Sequence, residues 1–510
     1  MALLGLTIDA HSQEKAGNVP KIVVNIQIDQ LRTDYLDAFA PLYSSTGLKR
    51  LLNEGVVYVN AYYPFAPIDR ASAISSIQTG AVPYYHSITG QRWLDKETLQ
   101  TAYCVDNQRK PGTSTAANML TSTMGDELKV ATAGQAKVAA VAPYRDAAIL
   151  SAGHAADLAL WIDDQTGQWT TCDYYQQTLP QWVKAYNEKA DIDKQVRTTT
   201  WKPVSDVVGS FSFFLNTGNQ KPFAHAFKGD RRFRQYKASA LVNSHVTDMA
   251  EQCFINMALA NDRITDMLTL TYYAGNYDHN TLTECQTELQ DTYVRLDQEI
   301  SRLTKYIESR VGKDNVLFIL TSTGYSDEES AEYDKYRIPT GTFYINRSAN
   351  LLNLYFGAIW GQGRYVEKCF GNQIYLNHKL FEQKRISFPD AILRAQDFLS
   401  QMSGVRSIFT GQQLIANSNP EIQKVRNGFS AERSGDIVIE VAPGWRLQNE
   451  ETQETQLSRA SYTQFPIVFF GAGLKPVSIQ EPVSIERIAP SVAKAIRIRA
   501  PNACSAEPLF

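Results

Sequence analysis

The sequence is short of the features that mark several common classes of protein. Its formal net charge is only -3, from 50 Lys and Arg against 53 Asp and Glu, so it lacks the basic excess of a nucleic-acid-binding protein. No apolar run approaches the ~18 residues of a membrane-spanning helix. The six cysteines are scattered without C-x-x-C spacing, which disfavours a zinc ribbon or a redox motif. These absences argue against a nucleic-acid partner and against a transmembrane segment.

Common catalytic signatures are also missing. The chain has no G-x-S-x-G motif, so it does not present the nucleophile elbow of a serine hydrolase. The G-x-G triplet from Gly361 to Gly363 lacks the strand-loop-helix context of a phosphate-binding loop. Histidine is scarce, with seven residues in all and none after His378. Any metal site in the last quarter of the chain would therefore lack imidazole ligands.

The first twelve residues, MALLGLTIDAHS, combine a brief apolar run with a small-residue A-H-S site. This pattern predicts the remnant of a signal peptide, cleavage before Gln13 and export to the periplasm. The alternative interpretation is an ordinary disordered N-terminus.

What the sequence does contain is a regular alternation of buried strands and helices, which predicts an α/β fold. The apolar run IVVNIQID delivers Asp29 to the end of a strand, where ligands bind in open parallel sheets. A helix over residues 71–79 points its N-terminus at the same place, which favours an anion. We expect strands near residues 22–28, 266–273, 315–321 and 466–470 to share one sheet, with the strand in GDIVIEVAP also returning to the core.

Several segments together carry a resemblance to a known family: IDQLRTDYL, GLKRLLNEGVVYVNAYYP, SSIQTGAVPYYHSITGQRWLD, GDELK, DTYVRLDQEI and SGDIVIEVAPGW. They resemble the alkaline phosphatase superfamily, in its secreted bacterial branch with a threonine nucleophile and two zinc ions. The resemblance implies a three-layer fold with a mostly parallel central sheet and helices on both faces. It also implies a single domain over residues 13–510, with insertions at about 151–260 and 340–428.

The positions that handle the phosphoryl group in this family are changed here. The nucleophile position corresponds to Arg70, and a guanidinium cannot attack phosphorus. The asparagine that holds a phosphoryl oxygen corresponds to Gln91, a partial match. The two basic residues of the K-x-R element correspond to Tyr144 and Asp146, although the neighbouring Arg145 could take over their part.

The metal-ligand positions are changed as well, because Asp29 alone survives of six. The other five carry residues that are poor zinc ligands, namely Asn276, Asn280, Thr323, Gly324 and Gln464. Asp278 and His279 lie beside the motif but are interpreted as a solvated loop pair. His86 and His154 are interpreted as packing histidines. We therefore expect no zinc and no other cofactor.

From these changes we predict a catalytically inactive phosphatase-like protein that binds or scaffolds another envelope protein, with its oligomeric state left open. One alternative is a phosphomonoesterase or phosphodiesterase with altered metal ligands, using Asp29 and Arg70 with Asp278 and His279. Another is a periplasmic binder of small anions or glycans.

A buried Asp29 without metals needs a cation, so we expect Arg70 within about 3.5 Å of it. The alternative is that Arg70 turns to solvent while Asp29 binds backbone amides.

Overall fold

The computed structural model describes residues 19–208, 211, 223–280, 282–325, 337–416, 419–452, 454–457 and 464–510. The predicted signal remnant at residues 1–12 and the start of the chain at Gln13 lie outside these ranges. Among the described helices, no segment is both long enough and apolar enough to cross a membrane.

The strands of the described chain are short and mostly buried. They are β1 Ile22–Asp29, β2 Val56–Tyr62, β3 Arg92–Leu94, β4 Thr101–Tyr103, β5 Val138–Ala142, β6 Leu158–Ile162, β7 Trp169–Thr170, β8 Thr200–Trp201, β9 His225–Ala226, β10 Asp266–Tyr273, β11 Val316–Ser322, β12 Gly341–Tyr344, β13 Val366–Phe370, β14 Gln373–Leu376, β15 Val405–Thr410, β16 Ile437–Val441, β17 Trp445–Asn449, β18 Glu454–Leu457, β19 Phe465–Gly471, β20 Val477–Ile479 and β21 Val483–Ser484.

The α-helices of the same residues are α1 Thr33–Ala38, α2 Leu48–Glu54, α3 Arg70–Thr79, α4 Pro83–His86, α5 Met124–Ala131, α6 Arg145–Ala152, α7 Gln181–Ala190, α8 Ile192–Thr198, α9 Arg232–Lys237, α10 Val242–Asn256, α11 Leu282–Val311, α12 Ile345–Trp360, α13 His378–Gln383, α14 Phe388–Ser400, α15 Gly411–Ala416, α16 Pro420–Asn427 and α17 Ile488–Ala495.

The central sheet has the strand order β20-β2-β19-β11-β1-β10-β5-β6-β7, with β21 pairing on β2. The strands β11, β1, β10, β5 and β6 are parallel neighbours, whereas β19 runs antiparallel to both β11 and β2. The four predicted strands are therefore in one sheet, and the mostly parallel sheet is confirmed. Parallel strands are usually buried on both faces, which is why these segments are rich in apolar residues.

Alternate side chains of β1 enter two different cores, one on each face of the sheet. Val24, Ile26 and Ile28 pack in a core that includes residues of α10 and α11. Val23 packs on the opposite face, in a core that includes residues of α3, α6 and α17. The sheet is thus covered by helices on both faces, as predicted.

Two parts of the chain pair differently from the prediction. Strand β16, expected in the central sheet, lies in a separate four-stranded sheet of order β13-β14-β16-β15. An apolar strand has the same sequence pattern in either sheet, so the sequence of β16 alone does not determine which strands it pairs with. Strands β6 and β7 lie within the predicted first insertion, yet they extend the central sheet. The division into one domain with two insertions stays a prediction.

Candidate active site

The candidate site lies at the carboxyl end of β1, where α3 and α6 both begin. Asp29 is the last residue of β1 and its side chain is 1% exposed. Arg70 is the first residue of α3, and Asp146 follows the first residue of α6. The α/β connections therefore bring one cation and two carboxylates to the same edge of the sheet.

Arg70 binds both carboxylates through all three of its guanidinium nitrogens. Its Nη1 donates to Asp29 Oδ2 at 3.3 Å, so the predicted contact is present. Its Nε and Nη2 donate to Asp146 Oδ2 and Oδ1 at 3.1 and 3.0 Å, which is a bidentate pair. The face of the guanidinium lies 3.8 Å from the ring centroid of Tyr144. The alternative of an Arg70 turned to solvent does not hold.

Asp146 is the partner that the sequence analysis missed. It is fully buried and paired with Arg70, and it also accepts from Gln91 Nε2 at 3.1 Å. Burial alone would raise the pKa of Asp146, but the charge and hydrogen bonds of Arg70 outweigh burial and lower it. Burial would likewise lower the pKa of Arg70, and the attraction of Asp146 and Asp29 raises it instead. Asp146 and Arg70 are therefore both charged at neutral pH.

The N-terminus of α3, which the sequence marks as an anion site, is occupied by the protein itself. Asp69 caps the helix, with Oδ1 accepting from the backbone N–H of Ser72 at 2.9 Å. Its other oxygen accepts from the backbone N–H of Gln91 at 2.5 Å. The backbone N–H of Ser72, one of the helix-end donors that an external anion would use, is therefore already engaged.

Thr323 and Gly324 follow β11 and close the other side of Asp29. The Thr323 hydroxyl donates to Asp29 Oδ1 at 2.9 Å and accepts from the backbone N–H of Gln30 at 3.0 Å. Gly324 has φ +68°, and a Cβ there would lie 2.4 Å from the ring of Tyr63. A positive φ and this close approach explain why glycine stands where a metal-binding side chain would be needed.

The two predicted asparagine positions hold a turn instead of facing Asp29. Asn276 is buried and its Nδ2 donates to the carbonyl of Asn280 at 3.0 Å. Between them Asp278 receives a hydrogen bond from Gln235 Nε2 at 3.2 Å, and its carboxylate is only 15% exposed. The expectation of a solvated Asp278 is therefore wrong, because α9 packs over it.

The remaining predicted positions have structural contacts. Gln464 is exposed, and its backbone carbonyl accepts from the N–H of Thr33 at 2.9 Å. His86 is fully buried, binding Ser76 Oγ at 3.0 Å and accepting from the N–H of Ile88 at 3.1 Å. Burial lowers its pKa to about 3, so it is neutral and packs as predicted. His154 lies 2.9 Å from Asp126 Oδ2 and 2.8 Å from a backbone carbonyl, and is also a packing histidine.

These residues do not fit a two-zinc site. All four oxygens of Asp29 and Asp146 already accept hydrogen bonds, three of them from Arg70, and the guanidinium lies between the two carboxylates. A positive charge in that position opposes a metal ion. Among the described residues, no group of three or more His, Cys, Asp or Glu side chains is arranged to hold a metal.

A cavity of about 630 Å³ opens beside this cluster. Two of its cations, Arg92 and Arg145, lie over the ring of Tyr103, with centroid distances of 5.1 and 4.8 Å. Its buried Lys237 lies 4.9 Å from the ring of Tyr144, whose other neighbour is Arg70. The full lining comprises Arg92, Tyr103, Gly112, Thr113, Ser114, Tyr144, Arg145, Trp161, Ile162, Asp163, Asp164, Gln165, Thr170, Thr171, Cys172, Asp173 and Lys237.

Sequence reasoning did not find this cavity. It noted Arg145 alone as a cation that could replace the lost basic residues, and Arg145 does line the cavity. It is held there by Asp106 at 2.7 Å and Ser114 Oγ at 3.1 Å. Arg92 and Lys237 come from distant parts of the chain, so no local motif brings the three together.

Comparison with known proteins places this geometry in context. Residues 23–463 match the family model described as type I phosphodiesterase / nucleotide pyrophosphatase. The alkaline phosphatase PafA of Elizabethkingia meningoseptica is 27% identical, covering 96% of this chain and 94% of its own length. The alkaline phosphatase PhoV of Synechococcus elongatus is 28% identical, with coverages of 95% and 91%. A protein named calcium-transporting ATPase from Myroides odoratus is 29% identical, with coverages of 95% and 93%.

The fold comparison agrees with the sequence comparison. The crystal structure of wild-type PafA superposes with a TM-score of 0.83 at 26% identity, covering 96% of this chain and 98% of that chain. The predicted alkaline-phosphatase-like fold is therefore confirmed. The predicted inactive scaffold is wrong on the same findings, because relatives that match nearly the whole chain are named alkaline phosphatases. They favour the alternative of a hydrolase with altered ligands.

Proposed function

Because the chain belongs to the type I phosphodiesterase / nucleotide pyrophosphatase family, we propose that it hydrolyses phosphate esters, as a monoesterase or a diesterase. The observation that carries this proposal is the match over residues 23–463, joined by relatives named as alkaline phosphatases at coverages of 95 to 96% of this chain. The reaction breaks the bond between phosphorus and the leaving oxygen and transfers the phosphoryl group to water.

The cavity beside Arg70 is the place that we assign to the substrate. Arg92 and Arg145 are planar donors suited to two phosphoryl oxygens, and Tyr103, over whose ring both lie, offers an aromatic face. Arg70 is excluded as a nucleophile, because a guanidinium that donates to two carboxylates has no electron pair to give to phosphorus. The attacking group therefore differs from the threonine of the relatives.

The test is an assay of the purified protein with an aryl phosphate monoester and an aryl phosphate diester. Each ester is supplied without added metal and with Zn²⁺, Mg²⁺, Mn²⁺ or Ca²⁺. We expect turnover of one ester class, and we expect Arg92→Gln and Arg145→Gln to raise KM about tenfold by removing a charged hydrogen bond. Arg347→Gln, which removes an exposed pair with Glu450 outside the cavity, is the matched control.

No turnover of either ester under any of these conditions would refute the hydrolase proposal. Binding of inorganic phosphate without turnover, measured by calorimetry, would favour the small-anion binder in its place.

We further propose that the protein acts in the periplasm. This rests on the sequence pattern of residues 1–12, and mass spectrometry of the native protein should find Gln13 as its first residue. An intact Met1 on the native protein would contradict export.

A further inference from the structure

The cluster at the end of β1 contains two carboxylates that cannot be charged without a cation. Asp29 and Asp146 are 1% and 0% exposed, and each forms an ion pair with Arg70, itself 7% exposed. A buried carboxylate is strongly unfavourable unless it is paired and hydrogen-bonded. Arg70 satisfies both carboxylates at once, since its three nitrogens are divided between them.

Each oxygen of these carboxylates also accepts at least one hydrogen bond. Asp146 Oδ1 accepts from Arg70, and Oδ2 accepts from both Arg70 and Gln91. Asp29 Oδ2 accepts from Arg70, and Oδ1 accepts from Thr323. A metal ion would have to displace the guanidinium from both carboxylates, and the other groups that contact these carboxylates are the amide of Gln91 and the hydroxyl of Thr323, which zinc binds poorly.

We propose that Arg70 is a built-in replacement for a divalent cation, a fixed side-chain charge that holds the two strand-end carboxylates together so that the folded site takes up no zinc. The stacking of Arg70 on Tyr144 fixes the plane of the guanidinium, as a metal's coordination geometry would fix its ligands. This inference concerns stability and metal content, and it does not depend on whether the chain hydrolyses an ester.

Two measurements on the wild-type protein test the first half of the proposal. Elemental analysis of protein purified with zinc in the medium should find well below one zinc per chain. A chelator should leave the thermal unfolding midpoint unchanged. Near-stoichiometric zinc that resists gel filtration, or a midpoint that falls with chelator, would overturn the proposal.

The variant Arg70→Ala tests the second half, because it leaves two carboxylates facing the vacated space. We expect its midpoint to fall by about 5 °C or more and to recover in part with millimolar Mn²⁺ or Ca²⁺. The matched control is Arg295→Ala, which removes the arginine partner of the buried Asp291 but leaves one carboxylate only. The midpoint of Arg295→Ala should fall, and it should not recover when Mn²⁺ or Ca²⁺ is added.

Recovery no greater than that of Arg295→Ala, or a midpoint equal to that of the wild type, would show that Arg70 does not act in place of a cation. If Arg70→Ala does not fold, Arg70→Lys supplies the comparison, since it keeps the charge but loses the fork. Its midpoint should be lower than that of the wild type and should not respond to Mn²⁺. A midpoint raised by Mn²⁺ in Arg70→Lys would refute the inference.

Discussion

The pair between Arg70 and Asp146 gives the sharpest stability prediction. Asp146→Asn keeps the shape of the side chain but removes the charge that receives two guanidinium bonds, at 3.1 and 3.0 Å, inside the core. A hydrogen bond to a charged group contributes about 1.5 to 3 kcal/mol, and breaking a buried pair costs about 3 to 5 kcal/mol. We therefore expect Asp146→Asn to lower the free energy of unfolding by about 3 kcal/mol or more.

A double-mutant cycle with Arg70→Met isolates this pair. Urea unfolding of the wild type, both single variants and the double variant should give a coupling of about 2 kcal/mol or more, provided that the denaturant slope is unchanged. The control cycle uses Arg347 and Glu450, which form a fork of similar geometry at the surface, with Arg347 62% exposed. Solvent screens that pair, so its coupling should fall within the error of the measurement.

The pH dependence of the same variant adds an independent check. The pKa of Asp146 is lowered on folding, because Arg70 outweighs the opposing effect of burial. Its stabilising contribution is therefore complete above the unfolded pKa near 3.9 and is lost only as pH falls through the lower folded value. The difference between wild type and Asp146→Asn should stay constant from pH 5 to 8. A cost below about 1 kcal/mol, or one that varies over this range, would refute the assignment.

Three further predictions follow from other contacts. The hydrogen bond to Asp126 raises the pKa of His154 above 6.5. The stabilisation that His154 contributes is therefore complete below pH 6.5 and is lost as the pH rises through the folded pKa. Thermal midpoints at pH 5.5 and 8.5 should show that His154→Gln costs more stability at the lower pH, and an equal cost at both would contradict this prediction. Gly324→Ala should cost about 2 kcal/mol or more in urea unfolding, because alanine meets both a positive φ and the ring of Tyr63; a neutral variant would show that the turn relaxes. Arg70→Thr should not gain zinc-dependent hydrolysis of an aryl phosphate, because Asn276, Asn280 and Gly324 still cannot bind zinc. A gain of zinc-dependent hydrolysis would show that the ligand positions are misassigned.

The strands of the central sheet can be predicted from the sequence because burial on both faces requires segments rich in apolar residues. Parallel strands such as β1 and β10 are rich in apolar residues and buried along their whole length, so their burial can be predicted from the sequence. Strand β16 is also apolar, but its partner is set by contacts with β14 and β15 far along the chain. The pattern within a strand gives burial, whereas its neighbours in the sheet are a tertiary property.

The contact between Arg70 and Asp29 was predictable because a buried carboxylate without metals needs a cation nearby. The stronger bond to Asp146 was missed because each position was considered separately. A position that carries a cation in the resembled family carries the acid Asp146 here, and the nucleophile position carries the base Arg70. Opposite changes of charge at two site positions indicate that the two side chains contact each other, and this pattern could have predicted the pair between Arg70 and Asp146.

The geometry separates the residues that stabilise the site from those available to a substrate. Every guanidinium nitrogen of Arg70 donates to a buried carboxylate, and Asp69 caps α3, so a phosphoryl group near α3 would compete with carboxylates of the protein for these donors. The cations Arg92 and Arg145 line the cavity, and each lies over the ring of Tyr103. Changes at Arg70 should therefore act on the unfolding midpoint, whereas changes at Arg145 should act on KM. A variant at Arg145 that lowered stability as much as Arg70→Ala while leaving KM unchanged would place the substrate elsewhere.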